Sequence, residues 1–295
     1  MNQTSFALKG NIFFTPAPGQ LAIYPESYLV CVDQKVAGVF AQLPEQYKDL
    51  PVEDHSGKLI LPGLVDLHVH ASQYAYRGLG MDMELLQWLE ANAFPEESKF
   101  ADLEYAEKAY GIFTRQLLHS ATTRACIFAT IHRPATLKLM ELLEKAGLCC
   151  YVGKVNMDRN SPDILRETCE ESLAETRQWL LDSAAFTRSK PMLTPRFTPS
   201  CTDELMTGLG ELQKEFGVPM QSHLSENLSE IKWVSELCPG TRFYGEAYEQ
   251  FGLFGGECPT VMAHCVWSGA EERARHEGNG VSSPLPPVQH ERFLR

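Results

Sequence analysis

The chain has no excess of positive charge: 26 lysines and arginines stand against 38 acidic residues, a formal net charge of −12. Without a basic cluster, sequence-independent binding to nucleic acid or to an anionic membrane is not expected. No unbroken apolar run approaches the length of a membrane span. The first residues, Met1 to Lys9, lack the basic start and apolar core of a secretory signal, so a cytoplasmic location is expected. None of the nine cysteines forms a C-x-x-C pair. Scattered thiols of this kind read as reduced residues, and Cys149-Cys150 as small apolar groups of a buried strand. Short repeats and low-complexity tracts are missing as well. What is there is 295 residues, 44% of them hydrophobic, enough for a substantial core in one large or two modest domains.

Residues 1–60 carry short β-rich pieces, Asn11–Phe14, Tyr28–Val32 and Val36–Phe40, separated by turn residues such as Pro16, Pro18-Gly19 and Asp33. They predict a small all-β portion. From Leu61 the rhythm changes to short apolar strands alternating with longer helical patterns, the signature of βα units around a parallel sheet. Strands are expected at Leu59–His70, Thr122–Phe128, Cys149–Val155, Met192–Phe197, Val218–His223 and Thr260–His264. Helices are expected near Met83–Glu90, Asp102–His119, Pro134–Ala146, Pro162–Ala185, Thr202–Phe216 and Glu226–Leu237. This is an α/β chain of about six βα units over residues 61–276, where a closed barrel of the type has eight. Residues 277–295, with Pro284, Pro286 and Pro287, read as an irregular tail.

His68 and His70 close the segment Leu59-Ile-Leu-Pro-Gly-Leu-Val-Asp-Leu-His-Val-His70, read as a buried strand with a turn pair near its start. Side chains two apart on a strand share a face, so both imidazoles leave the same side at its C-terminal end. Two neutral rings so placed suit a divalent cation. The plainer alternative is two polar residues in a loop. His223 and His264 end two further predicted strands, and chemistry in α/β barrels gathers at such ends. Glu226 follows His223 by three, at the expected start of a helix. There it can accept a proton from a water, or merely serve the helix dipole or a capping box opened by Ser222 or Ser225. Arg196 and Phe197 close another strand, offering paired planar donors and a stacking face. A rim salt bridge and a core aromatic are the other reading. Gln73 can supply an amide donor and acceptor.

The words Pro62-Gly-Leu-Val-Asp-Leu-His-Val-His70, His70-Ala-Ser-Gln-Tyr74, Phe94-Pro-Glu-Glu97, Phe128-Ala-Thr-Ile-His132, Gly153-Lys-Val-Asn-Met-Asp158, Thr194-Pro-Arg-Phe197, Gln221-Ser-His-Leu-Ser-Glu-Asn227 and Met262-Ala-His264 together resemble the guanine deaminases of the amidohydrolase superfamily. The resemblance runs from about Gly57 to about Glu272. It implies a TIM-like metal-dependent hydrolase barrel with part of a small β-sandwich before it. It implies one Zn2+ per chain on His68, His70 and His223, Fe2+ being the other metal such ligands accept. His264 would hold the attacking water or developing oxyanion, and Glu226 would shuttle its proton. Gln73, Arg196 and Phe197, with His223 and Glu226, would hold the purine. The implied reaction is hydrolysis of guanine to xanthine and ammonia, in a homodimer. The chain has no P-C-x-x-C, unlike the other zinc deaminase fold that acts on bases.

One departure shapes a further expectation. The family's metal site includes an aspartate at the end of the eighth strand, whereas the last aspartate here is Asp203. The resemblance therefore reads as an incomplete barrel, truncated before its last two strands. Two alternatives accompany the main reading: an amidohydrolase for another aminated heterocycle, and a catalytically impaired fragment that binds metal or a partner subunit.

Overall fold

The structure, a computed structural model, describes residues 4–17 and 19–282. The chain divides into two compact units that meet in sequence at Gly63 and Leu64. The first unit is one four-stranded sheet in the order β3-β2-β1-β4, made by β1 (Phe6–Ala17), β2 (Gln20–Val32), β3 (Lys35–Phe40) and β4 (Val52–Ile60). β1 pairs antiparallel with β2 and parallel with β4. The β2–β3 hairpin turns through Asp33 and Gln34, both at positive φ, the two-residue turn whose twist suits a hairpin. Ala7, Ile12, Val30 and Cys31 are buried, and register shifts at Gly10/Ile12 and Val30/Cys31 interrupt strict alternation there. β4 was not expected, because Val52-Glu-Asp-His-Ser-Gly-Lys58 is too polar to read as a strand.

The second unit is mixed α/β with parallel sheets. β5 (Leu64–His70), β6 (Thr122–Phe128), β7 (Cys149–Gly153) and β9 (Ser189–Pro191) form one sheet in that order. β8 (Val155–Asn156) pairs with β10 (Thr194–Pro195), and β11 (Met220–Leu224) with β12 (Thr260–His264) and β13 (Val281–Ser282). Every registered pair in this unit is parallel. The helices are α1 (Leu85–Trp88), α2 (Phe94–Glu97), α3 (Leu103–Leu118), α4 (Arg133–Ala146), α5 (Cys169–Asp182), α6 (Asp203–Phe216), α7 (Leu228–Leu237), α8 (Glu246–Glu249) and α9 (Ala270–Asn279). Their apolar stripes close over the strands, joining Tyr110, Leu139, Leu143, Trp179, Leu209 and Tyr248 with Ile127, Val152 and Met262 in one core. Among the described residues no helix is long and apolar enough to cross a membrane.

The differences from expectation have local causes. The run Leu59–His70 is two strands, because Pro62 and Gly63 interrupt it. Leu64 and Val65, at the start of β5, are exposed and not buried as expected. Lys154 splits the third expected strand. It lies between β7 and β8, and its buried ammonium reaches Glu167 at 2.9 Å. The long helix expected from Pro162 begins at Cys169, where Thr168 and Glu171 form a capping box. The helix expected at Met83–Glu90 is α1, which runs through a π-helical turn at Leu89–Ala93 into α2. Pro95 has no N–H for the ladder at that point, which accounts for the widened turn. Finally, the expected tail starts too early. α9 holds Glu277 to Asn279, Gly280 caps it at a φ of 68°, and the chain turns back to lay β13 beside β12. The tail's remainder, 283–295, lies outside the described residues.

Candidate metal and substrate site

The parallel strands deliver their C-terminal residues to one place. His68 and His70 end β5, and a β-bulge between Asp66 and Val69 re-aims them. In that bulge His68 N–H donates to Asp66 Oδ1 at 3.1 Å. His223 comes from β11 and His264 from β12, with rungs such as Ser222↔Met262 fixing their register. The His68 ring centroid lies 5.0, 4.9 and 4.8 Å from those of His70, His223 and His264. His70 and His223 stack at 5.1 Å, and His223 and His264 at 5.4 Å. Phe128, register partner of His70 at the end of β6, stacks on His70 at 4.5 Å and floors the cluster.

Backbone geometry at the strand ends is unusual. Ser225, His264 and Cys265 all have positive φ, 71° at His264. For residues with a Cβ this conformation costs about 1–3 kcal/mol each and persists only where surroundings enforce it. Here Cys265 N–H donates to Leu224 O and Trp267 N–H to Ser225 O, tying the end of β12 to that of β11. Tyr248 adds a second tie. Its hydroxyl donates to His223 O at 2.8 Å, accepts from Thr198 N–H and meets Ser222 Oγ at 2.9 Å.

Burial holds all four imidazoles neutral. It pushes His68 down to about 3 and His264 to about 4, and carries His70 and His223 well below the usual histidine range. His223 Nδ1 lies 2.5 Å from Arg196 O. A carbonyl accepts only, so Nδ1 carries the proton and Nε2 keeps its lone pair. That Nε2 faces His70 Nε2 at 3.0 Å, while buried His68 Nδ1 has no hydrogen-bond partner. Ligand atoms of His68, His223 and His264 all lie within 4.8 Å of one another. Neutral rings with converging lone pairs and an orphaned buried nitrogen fit a divalent cation of the zinc type. This trio differs in one member from the expected His68, His70 and His223, and His70 joins it through the 3.0 Å contact of its Nε2 with His223 Nε2. Among the described residues no aspartate joins the group.

Glu226 Oε2 is 3.3 Å from His264 Nε2. Burial first, then the neighbouring Glu230, raise its carboxyl to about 7. It does not begin the helix, as expected, but lies just before it. Asn227 caps α7 and forms the capping box with Glu230, in place of Ser222 or Ser225. Glu230, wholly buried, accepts from Glu226 N–H at 3.0 Å and from the Tyr244 hydroxyl at 2.9 Å, so the backbone carrying Glu226 is pinned.

These groups share one cavity of about 340 Å³, lined by His68, His70, His223, His264, Glu226, Gln73, Arg196 and Phe197. All of the site residues expected from the sequence reach it. Its apolar wall includes Met83 from the segment before α1, Leu85 and Trp88 from α1, and Leu89 from the π-helical turn. Those residues and Phe128 were not singled out: a helix was expected at Met83–Glu90, but nothing local in its pattern marks the face that meets a cavity. Phe128 was findable as the last residue of a strand beside His70. His132 does not line this cavity.

Residues 59–292 match the amidohydrolase family model. The chain belongs to the amidohydrolase family. It is 40% identical to the guanine deaminase of Dictyostelium discoideum over 286 residues, 90% of this chain and 62% of that protein. It is 41% identical to the Homo sapiens guanine deaminase over 229 residues, 76% of this chain and 50% of that one. The chain thus spans between half and two thirds of the length of these relatives. A crystal structure of guanine deaminase from C. acetobutylicum, with guanine bound in its active site, superposes with a TM-score of 0.91 and 46% identity. That superposition covers 95% of this chain and 67% of that one. A triazine hydrolase at 14% identity and a TM-score of 0.83 shares the fold.

Proposed function

We propose that this chain carries out the hydrolytic deamination of guanine to xanthine and ammonia. The observation that carries the reading is the single cavity. Four strand-end imidazoles and Glu226 line it as one group of side chains, and Arg196, Gln73 and Phe197 as another. The volume suits a bicyclic base, and the two groups of side chains suit reaction and recognition respectively. Similarity to guanine deaminases across the residues that build this cavity supports the substrate.

His68, His70 and His223 would hold one zinc ion, with His264 beside it. Zinc held there would supply Lewis acidity that makes a water nucleophilic near neutrality. Glu226 accepts the proton of that water as its oxygen bonds to the ring carbon bearing the amine. With its carboxyl raised toward 7, it gives that proton to the ring nitrogen and then conveys the remaining proton of the added hydroxyl to the departing amine, so that the C–N bond breaks, the new carbonyl forms and ammonia leaves. His264 lies where it can hold the attacking oxygen and the charge that develops on it. Phe197 offers its face to the base, and Arg196 donates to the ring's carbonyl oxygen.

The same reading treats the parallel strands as the greater part of a (β/α)8-type barrel, and the first sheet as one layer of a β-sandwich. It places a homodimer in the cytoplasm, and the net charge of −12 argues against nucleic acid as a partner. The test is conversion by zinc-loaded protein. Guanine absorbance should fall with equimolar release of ammonia; folded, zinc-loaded protein that leaves guanine unchanged overturns the proposal.

A further inference from the structure

Behind the recognition end of the cavity lies a residue that the family resemblance leaves without a role. Glu97, the last residue of α2, is buried, 2% exposed. Its Oε2 pairs with Arg196 Nη1, and its Oε1 accepts from Arg196 Nη2 at 3.1 Å and from Gln73 Nε2 at 3.2 Å. Phe94, one turn earlier on the same helix, places its ring 5.2 Å from the Arg196 guanidinium carbon. Arg196 and Gln73 line the cavity, whereas Glu97 does not. One carboxylate thus holds both Arg196 and Gln73, two of the polar residues that line the cavity.

We infer that Glu97 is a positioning residue whose acceptor-only carboxylate sets the hydrogen-bonding polarity of the Arg196–Gln73 wall. This deepens the proposed function and rests on it for the identity of the ligand. The argument is one of lone pairs and protons. An ionised carboxylate offers no donor, so the Gln73 amide must turn its NH2 to Glu97 and its Oε1 away. With the amide reversed, two oxygens would oppose each other in a buried place. The guanidinium, clamped through Nη1 and Nη2, has its remaining N–H groups for the cavity. The wall therefore presents a cationic donor beside a neutral acceptor. Its complement is a lactam edge, a carbonyl oxygen adjoining a ring N–H. An amidine edge, with an amine adjoining a bare ring nitrogen, meets donor against donor and acceptor against acceptor. The wall selects 6-oxo over 6-amino purines, and Glu97 fixes which way round it reads.

Binding tests this independently of turnover, with hypoxanthine as the lactam probe and adenine as the amidine probe, both titrated calorimetrically into zinc-loaded protein. Wild-type protein should favour hypoxanthine by at least about a hundredfold. Glu97→Gln keeps the shape but supplies an NH2 that frees the Gln73 amide to reverse, and the preference should shrink by at least about tenfold. Glu97→Asp remains acceptor-only and should retain most of it. Gln73→Met leaves the buried pair alone and should shrink the preference too, even if E97Q fails to fold. A purely structural role for Glu97 would weaken both purines alike. Equal weakening in E97Q, an unchanged ratio in Q73M, or a wild type that binds neither purine or does not distinguish them overturns the inference. Guanine turnover with an unchanged E97Q ratio sinks this inference alone. A sound hypoxanthine preference without guanine turnover sinks the proposed function and leaves this wall assignment standing.

Discussion

The two ends of the cavity are built on opposite principles. At the histidine end, neutral rings converge on one another: His70 and His223 aim nitrogens at each other across 3.0 Å, and His68 Nδ1 has no partner. At the arginine end, charge is matched inside the protein, with Arg196 and Gln73 both held by the Glu97 carboxylate. Buried polar groups normally find partners in the fold. An end that satisfies them internally is preorganised by folding alone, whereas one that converges lone pairs is organised for a cation. The comparison teaches that the two sets of side chains rest on separable structures, which meet where His223 Nδ1 lies 2.5 Å from the Arg196 carbonyl oxygen.

The strongest way to break that comparison is to remove a ligand-type ring. His223→Ala is expected to reduce bound zinc, measured by elemental analysis, and to lower guanine conversion by at least about a thousandfold. His68→Ala should do the same. Treating wild-type protein with a chelator should abolish conversion, and zinc should restore it. In each case the arginine end should stay intact, so the fold should remain cooperative by circular dichroism. Zinc bound at full stoichiometry by H223A would refute the assignment.

Next comes the buried ion pair. Arg196→Met leaves the Glu97 charge buried without its cation and should cost about 3–5 kcal/mol by urea unfolding. Replacing both partners, R196M with Glu97→Leu, should recover most of that loss, because the desolvated charges go together. Neither change should empty the histidine end of zinc. Recovered stability without recovered guanine conversion would separate the pair's structural part from its part in recognition.

How much of this was legible in the sequence follows the same division. The histidine end could be read because strands announce themselves: alternation pairs His68 with His70, and apolar runs end at His223 and His264. β12 matched its expected limits, Thr260–His264. The arginine end could not be read in full. Glu97 stands 99 positions from Arg196, on a four-residue helix following a π-helical turn, and nothing local links them. Tyr248, likewise, lies on the short α8 that no periodic pattern predicts. Long-range hydrogen bonds by single side chains leave no mark on composition or spacing. β13 was hidden for a different reason: Gly278, Asn279 and Gly280 look like loop, yet the first two finish a helix whose cap is the third.

Tyr248 gives a test of intermediate size. Its hydroxyl bridges Thr198 N–H, Ser222 Oγ and His223 O, groups that flank both ends of the cavity. Tyr248→Phe keeps the ring and removes the bridge, leaving buried polar groups short of partners. A loss of about 1–3 kcal/mol is expected, together with weaker zinc retention, since His223 loses a constraint on its backbone. Stability lost with zinc affinity unaltered would show that the two ends do not communicate through this residue.

The smallest effect sharpens the comparison from outside the cavity. Glu144, near the end of α4, accepts from Thr187, Arg188 and Ser189 N–H groups and from the Thr187 hydroxyl, fastening α4 to the start of β9. Partial burial pushes its carboxyl up, but these donors outweigh it and hold it at about 2. A carboxyl lowered in the folded state stabilises it fully above the unfolded value, about 4.3. That contribution fades as pH falls toward 2. Glu144→Gln should therefore cost about 1 kcal/mol at neutral pH, and its deficit against wild type should narrow stepwise between about pH 4 and 2 in urea titrations. Like the arginine end, this carboxylate is complete within the protein, so zinc content at neutral pH should not change. A deficit that stays constant through that acid window would mean the carboxylate's charge does not hold α4 to β9.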